Sequence, residues 1–206
     1  KFSDYLKSTE SYPYFQQVMM KSKNKLLNSG LITVSKHPII NEKFFAFSKS
    51  NCSGKVTSRG ILLTRIMHPE YGPLDVYNTQ LSRTNKERIK WQELQELAAF
   101  IIANSDENPF ILGGDFYFED DSDYHQYLRE RLEANDSHQD NTTTGPGHTF
   151  IKRKQKKRID YIFYRNKKNN NQPFYHISNE IILDGQHDEN RYSDHYGLLV
   201  DFDLVY

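Results

Sequence analysis

Cysteine is almost missing from these 206 residues: Cys52 stands alone, so no internal disulfide can form. It has no paired histidine motif around it, which argues against thiol chemistry. Net charge is missing too. Basic and acidic residues number 27 each, so no global field draws the chain to nucleic acid or to a membrane. Long apolar runs are absent: stretches such as Leu97-Ala98-Ala99-Phe100-Ile101-Ile102 fall far short of the roughly 18–20 residues that a membrane helix needs. No signal peptide, internal repeat or long linker is visible. The chain opens on Lys1 rather than Met, the expectation for a processed product or a piece of something longer. Compartment stays open between soluble, secreted and cytoplasmic.

Aromatic residues are plentiful, with 14 Tyr and 13 Phe offsetting a modest aliphatic content. At about 100–200 residues per domain, residues 1–206 fit a single domain. Short β-branched or aromatic runs bounded by Gly, Pro, Asn or Asp predict strands at 31–35, 44–48, 57–67, 74–81, 110–115, 159–164, 179–183 and 196–205. A helix is predicted over 84–104. Thr84 and Glu87 form a capping box there, and Leu94, Leu97, Ala98 and Ile101 make the apolar stripe. A second helix begins near Ser122, with Tyr124, Tyr127, Leu128 and Leu132 on one face. Strand runs with two inserted helices predict an α/β (α+β) class, a two-sheet β-sandwich flanked by helices.

Polar residues gather at predicted strand ends in four segments: "DVYNTQL" (75–81), "GGDFY" (113–117), "KRIDYIFY" (157–164) and "SDHYGLLVDF" (193–202). Each has an ordinary explanation. An Asp after Gly-Gly is usually a turn residue, the Asp of "RIDY" can pair with a neighbouring Arg, and Asp194-His195 can be a hydrogen-bonded turn.

Together, in this order and spacing, the four segments resemble the endonuclease/exonuclease/phosphatase superfamily of metal-dependent phosphoester hydrolases. "LLNSGLITVSKHPI" (26–39), "SRGILLTRI" (58–66) and "SDHYGL" (193–198) are most similar to its neutral sphingomyelinase branch. The resemblance implies the sandwich fold, a magnesium cofactor, and a phospholipid or other phosphodiester substrate. It also implies roles. Asp115 would position the attacking water and His195 would be the acid/base at the scissile phosphate. Asp160 would orient the imidazole, Asn78 would hold the phosphate region, and Asp194 would lie in the metal's neighbourhood.

Three departures bear on activity. Gln80 stands where the family commonly has a histidine, so that contact loses its charge-assisted part. Tyr117 stands where the family has an asparagine, and its ring must either fill the pocket or swing out of it. Both remain candidate substrate-binding residues. The metal-binding glutamate of the family lies in a "QE" motif upstream of the segment that "SYPYFQQVM" (11–19) resembles, so the chain is expected to lack it and the first strands. The expected function is a divalent-metal-dependent phosphodiester hydrolase, sphingomyelinase-like, with a partly degenerate site. The alternatives are an inactive relative that binds a phosphate-bearing ligand or a protein, and a nuclease of the same superfamily.

Other features carry less. "IKRKQKKR" (151–158) is either a solvated hairpin arm or a contact to an anionic surface, lipid or nucleic acid. The acidic run Glu119-Asp120-Asp121-Asp123 reads as a solvated loop leading into a helix N-terminus, where negative charge is favourable. The remaining histidines show no HxxxH spacing, and Trp91 reads as a packing residue.

Overall fold

A computed structural model describes residues 12–17, 29–48, 59–105, 108–139, 147–152, 155–166, 174–183 and 193–204. Cys52, Arg153, Lys154 and the polar run at 167–172 lie outside them. The elements in chain order are β1 (Tyr14–Gln17), β2 (Ile32–Ser35), β3 (Ile39–Ala46), β4 (Gly60–His68), β5 (Gly72–Gln80), α1 (Glu87–Asn104) and β6 (Phe110–Asp115). There follow α2 (Asp123–Leu132), β7 (Asn135–Asp136), β8 (Phe150–Lys152), β9 (Gln155–Lys157), β10 (Asp160–Arg165), β11 (Phe174–Ile182) and β12 (Gly197–Leu204).

The main sheet has six strands in the order β3-β4-β5-β6-β10-β7, and it is antiparallel except where β5 lies parallel to β6. Parallel neighbours need a crossover, and α1 supplies it. Alternation then sorts the side chains between the two faces. Ile61, Leu63, Tyr77, Leu112, Tyr161 and Phe163 point to the helix face, where they bury against Leu94, Leu97, Ala98, Ile101, Leu128 and Leu132. The opposite face is covered by two strand pairs. Leu31, at the start of β2, packs on Leu62 of β4 with Phe44, and Phe202 of β12 packs on Tyr164 of β10 at a ring distance of 5.1 Å. The architecture is thus the expected helix-flanked α+β sandwich. Its second layer, among the described residues, is the separate pairs β1-β2 and β11-β12.

The first helix begins later than its capping pattern predicts. Lys86 is the N-cap residue and makes no side-chain cap bond, while the Thr84 hydroxyl accepts from the Lys86 N–H at 3.1 Å, a local turn that competes with capping. The second helix starts as expected: Ser122 is its N-cap, accepting from the His125 N–H. Losing that cap by Ser122→Ala should cost about 1 kcal/mol of stability, read as a lower urea midpoint with unchanged slope. Trp91 does pack, edge-on to Tyr127 at 5.4 Å.

Candidate functional site

The register of three strands builds the site. Gln80 ends β5, Asp115 ends β6 and Asp160 begins β10; Gln80 pairs with Asp115, which pairs in turn with Asp160. Three polar side chains therefore stand in a row at one end of the sheet. All point away from the helices, because their neighbours Thr79, Gly114 and Tyr161 occupy the core-facing register. The glycine immediately before Asp115 lets β5 and β6 close up. Gly114, at φ 156°, would put a Cβ 2.1 Å from the Thr79 carbonyl oxygen, so a side chain there would push β5 from β6.

His195 arrives from a different part of the chain. It forms an isolated antiparallel bridge with Phe150, secured by the Ile151 N–H donating to the Asp194 carbonyl (3.0 Å) and the Tyr196 N–H donating to the Thr149 carbonyl (2.7 Å). Its ring packs edge-on to Phe150 at 5.0 Å. Nδ1 lies 2.9 Å from Asp160 Oδ2 and Nε2 lies 3.9 Å from Asp115 Oδ2. An Nδ1–H donated to Asp160 fixes the tautomer and turns Nε2 toward Asp115. Thr149 in turn braces Asp160: its hydroxyl oxygen accepts from the Ile159 and Asp160 N–H groups at 3.2 and 3.1 Å.

Asp115, Asp160 and His195 offer ligand atoms that all lie within 4.8 Å of one another. Burial pushes the Asp115 carboxyl up to about 6, and the nearby Asp160 carboxylate adds to the rise. Burial also raises Asp160, against the pull of Thr149 and His195. Two crowded, desolvated carboxylates lack positive charge, which a divalent cation would supply. Carboxylate oxygens are hard ligands of the kind magnesium takes, so the donor set fits that ion.

These groups border a cavity of about 540 Å³ lined by Asn78, Gln80, Asp115 and Asp160, with Leu31 and Ile32 on one side and Tyr196 and Leu198 on the other. Asn78 reaches it, but its amide also donates to the Ile32 carbonyl at 3.0 Å, tying β2 to the sheet. Gln80 hydrogen-bonds Asp115 and helps to hold its proton affinity down. Tyr117 stays beside Asp115, and the phenol hydrogen-bonds that carboxylate. Its backbone is left-handed (φ 53°), its N–H donates to Asp115 Oδ1 at 3.3 Å, and its ring lines a second, neighbouring cavity. Burial, with the Asp115 carboxylate next to it, pushes the phenol up to about 12. Asp194 is exposed and is not in the three-residue donor group.

The ordinary alternative for the Asp of "RIDY", a pair with the neighbouring arginine, gives way to a different pairing. Arg158 is buried against Asp136, with Asp120 at 3.3 Å, and leaves Asp160 to His195. The basic run is partly neutralised in the same way, since Lys157 meets Glu119 at 2.6 Å. Two supporting residues escaped the sequence reading, Thr149 and Phe150. Neither carries a motif; each acquires its place only when the bridge to His195 forms.

The comparisons agree with this fold. Beta toxin from Staphylococcus aureus is similar in fold, with a TM-score of 0.69 at 19% identity, over 97% of this chain and 81% of that chain. A doubly substituted form of that toxin, with bound magnesium ions, matches with a TM-score of 0.64 at 16% identity, over 97% of this chain and 77% of that chain. Sphingomyelinase C from Streptomyces griseocarneus matches with a TM-score of 0.64 at 14% identity, over 96% of this chain and 81% of that one. No curated protein matches the sequence. A model of one family, however, matches residues 5–195, nearly the whole length, and by that match the chain belongs to the Endonuclease/Exonuclease/phosphatase family.

Proposed function

We propose that this chain is a divalent-metal-dependent phosphodiester hydrolase of the sphingomyelinase-like kind. The observation that carries the reading is the convergence of Asp115, Asp160 and His195 at one cavity. Magnesium, held through Asp115, would supply positive charge to the phosphate oxygens. Asp115 accepts a proton from the attacking water. His195, oriented through Nδ1 by Asp160, presents Nε2 to the phosphate and donates a proton toward the departing oxygen. Gln80 and the second N–H of the Asn78 amide hold the phosphoryl oxygens. Asp194 lies outside this arrangement and would act, if on a metal at all, only from its periphery.

A second reading keeps the binding site without turnover. Tyr117 favours it, because the amide that would hold the phosphate is replaced by a bulky phenol bonded to the Asp115 carboxylate. Hydrolysis of bis(p-nitrophenyl) phosphate and of sphingomyelin, with magnesium and after chelation, separates the two. The hydrolase reading expects magnesium-dependent release of p-nitrophenol. No release above the chelated control would overturn it and leave the binding reading.

A further inference from the structure

Glu93 is a buried carboxyl that the proposed chemistry leaves without a role. It lies on the core-facing side of α1 with Leu94 and Leu97 and is 1% exposed. Burial raises its proton affinity, against the pull of two bonds from Ser82 and of the Arg59 charge. A desolvated acid in an apolar stripe is costly, so its contacts are informative. Both of its oxygens serve one residue. Oε2 accepts from the Ser82 N–H at 2.7 Å, and Oε1 accepts from the Ser82 hydroxyl. Ser82 is itself buried.

Ser82 stands where the chain leaves β5, two residues beyond Gln80. The residue between them, Leu81, donates its N–H to the Asp115 carbonyl at 2.9 Å. The segment 80–82 is therefore held from two sides, by Asp115 and by the helix. Side chains on either side of Ser82 act at the same carboxylate. Gln80 hydrogen-bonds Asp115 directly, and Arg83 acts electrostatically on the Tyr117 phenol, which also bonds Asp115. A second clamp on the same helix gives a comparison. Glu96 accepts from the Ser48 N–H at 2.9 Å and from the Ser48 hydroxyl, anchoring the chain beyond β3. That strand is at the edge of the main sheet, two places from β5. Of the two clamps, the one on Ser82 adjoins the catalytic cluster.

We propose that Glu93 is a positioning residue: through Ser82 it sets the end of β5, and with it the Gln80 amide, against Asp115 and the phosphate. The inference rests on the phosphodiesterase reading of Asp115, Asp160 and His195. Gln80 has two amide hydrogens, one for the Asp115 carboxylate and one for a phosphoryl oxygen. That division holds while the backbone at Gln80 keeps its place beside Asp115. If Ser82 drifts, the amide follows one partner and loses the other.

Magnesium-dependent hydrolysis of bis(p-nitrophenyl) phosphate tests the role. Glu93→Ala should lower kcat/KM by about 10–100-fold, the scale of a small misplacement at a reacting centre. Glu93→Gln should recover most of that loss, because its amide accepts from the Ser82 N–H and donates to the Ser82 hydroxyl oxygen. In a Gln80→Ala background Glu93→Ala should add little, since the group it positions is gone. Glu96→Ala, which releases the Ser48 clamp, should keep the wild-type kcat/KM. An unchanged kcat/KM in Glu93→Ala, a loss that multiplies with that of Gln80→Ala, or an equal loss in Glu96→Ala would overturn the role. Circular dichroism checks folding, and Ser82→Ala replaces Glu93→Ala in the same comparison should the latter not fold. If the wild type cleaves nothing, the hydrolase reading fails alone and calorimetry with inorganic phosphate in magnesium decides. A Kd raised about tenfold by Glu93→Ala, and no further when Gln80→Ala is added, supports the role. Equal affinity in Glu93→Ala, or no phosphate binding by the wild type, overturns it.

Discussion

His195→Ala should lower magnesium-dependent phosphodiester hydrolysis by about 10²–10⁴-fold, the range that a positioned acid/base group supplies. Asp160→Asn should lower kcat on a similar scale, because Asp160 acts only through the imidazole. It accepts from Nδ1 at 2.9 Å, while Nε2 is turned toward Asp115. Two groups that work as one unit are non-additive. The double variant should therefore be scarcely worse than His195→Ala alone, and Thr149→Ala should give a weaker version of the Asp160→Asn defect. Multiplying single-variant losses in the double variant would show that Asp160 works independently, as a metal ligand for example. That outcome would remove the orienting role. Initial rates at saturating substrate, with folding checked by circular dichroism, decide between the two.

The site was legible in the sequence because its parts are short motifs at strand ends. "GGDFY" and "KRIDYIFY" each deliver one carboxylate, and strand register converts that linear fact into a pair facing the same cavity. The partnership of His195 with Asp160 follows from the resemblance, but its geometry does not. It depends on the bridge between Phe150 and His195, a contact between chain segments 45 residues apart that no local pattern encodes. Helix α1 shows the opposite failure. Its capping box is correct in composition, yet Thr84 spends its hydroxyl on a tighter turn and the helix starts at Glu87. Tyr117 could be flagged as too large for its position, but sequence alone left two fates open. In the folded chain Tyr117 takes a left-handed backbone, hydrogen-bonds the Asp115 carboxylate and also lines the neighbouring cavity. The basic run forms the hairpin arm that was one of its two readings, but its partners were not legible: Lys157 and Arg158 face acids from other segments, Glu119, Asp120 and Asp136, that are distant in sequence.

Asp115→Asn should raise stability at pH 7 while removing hydrolysis. The carboxyl titrates at 3.8 in an ordinary setting and at about 6 here, with burial as the main cause and Asp160 second. The folded protein consequently binds its proton more tightly than the unfolded chain does. The stability this group contributes is full below about pH 4, falls as pH rises through about 6, and is flat above. Relieving that cost with a neutral amide should stabilise the fold by roughly 1–3 kcal/mol at pH 7, and should flatten the pH 4–6 slope. Magnesium offers an independent route to the same relief. Bound only by the folded site, it should raise the melting temperature of the wild-type chain in proportion to the logarithm of its concentration, and should do so far less in Asp115→Asn. Melting curves across pH 4–8, with magnesium and with a chelator, would check both halves. A variant less stable than wild type at pH 7 would mean that the carboxylate is held by compensating bonds. An equal magnesium response in both proteins would mean that Asp115 is not where the cation binds. The trade of stability for a strained carboxylate is what an active site of this chemistry requires, since a carboxylate comfortable in isolation would gain little from a metal.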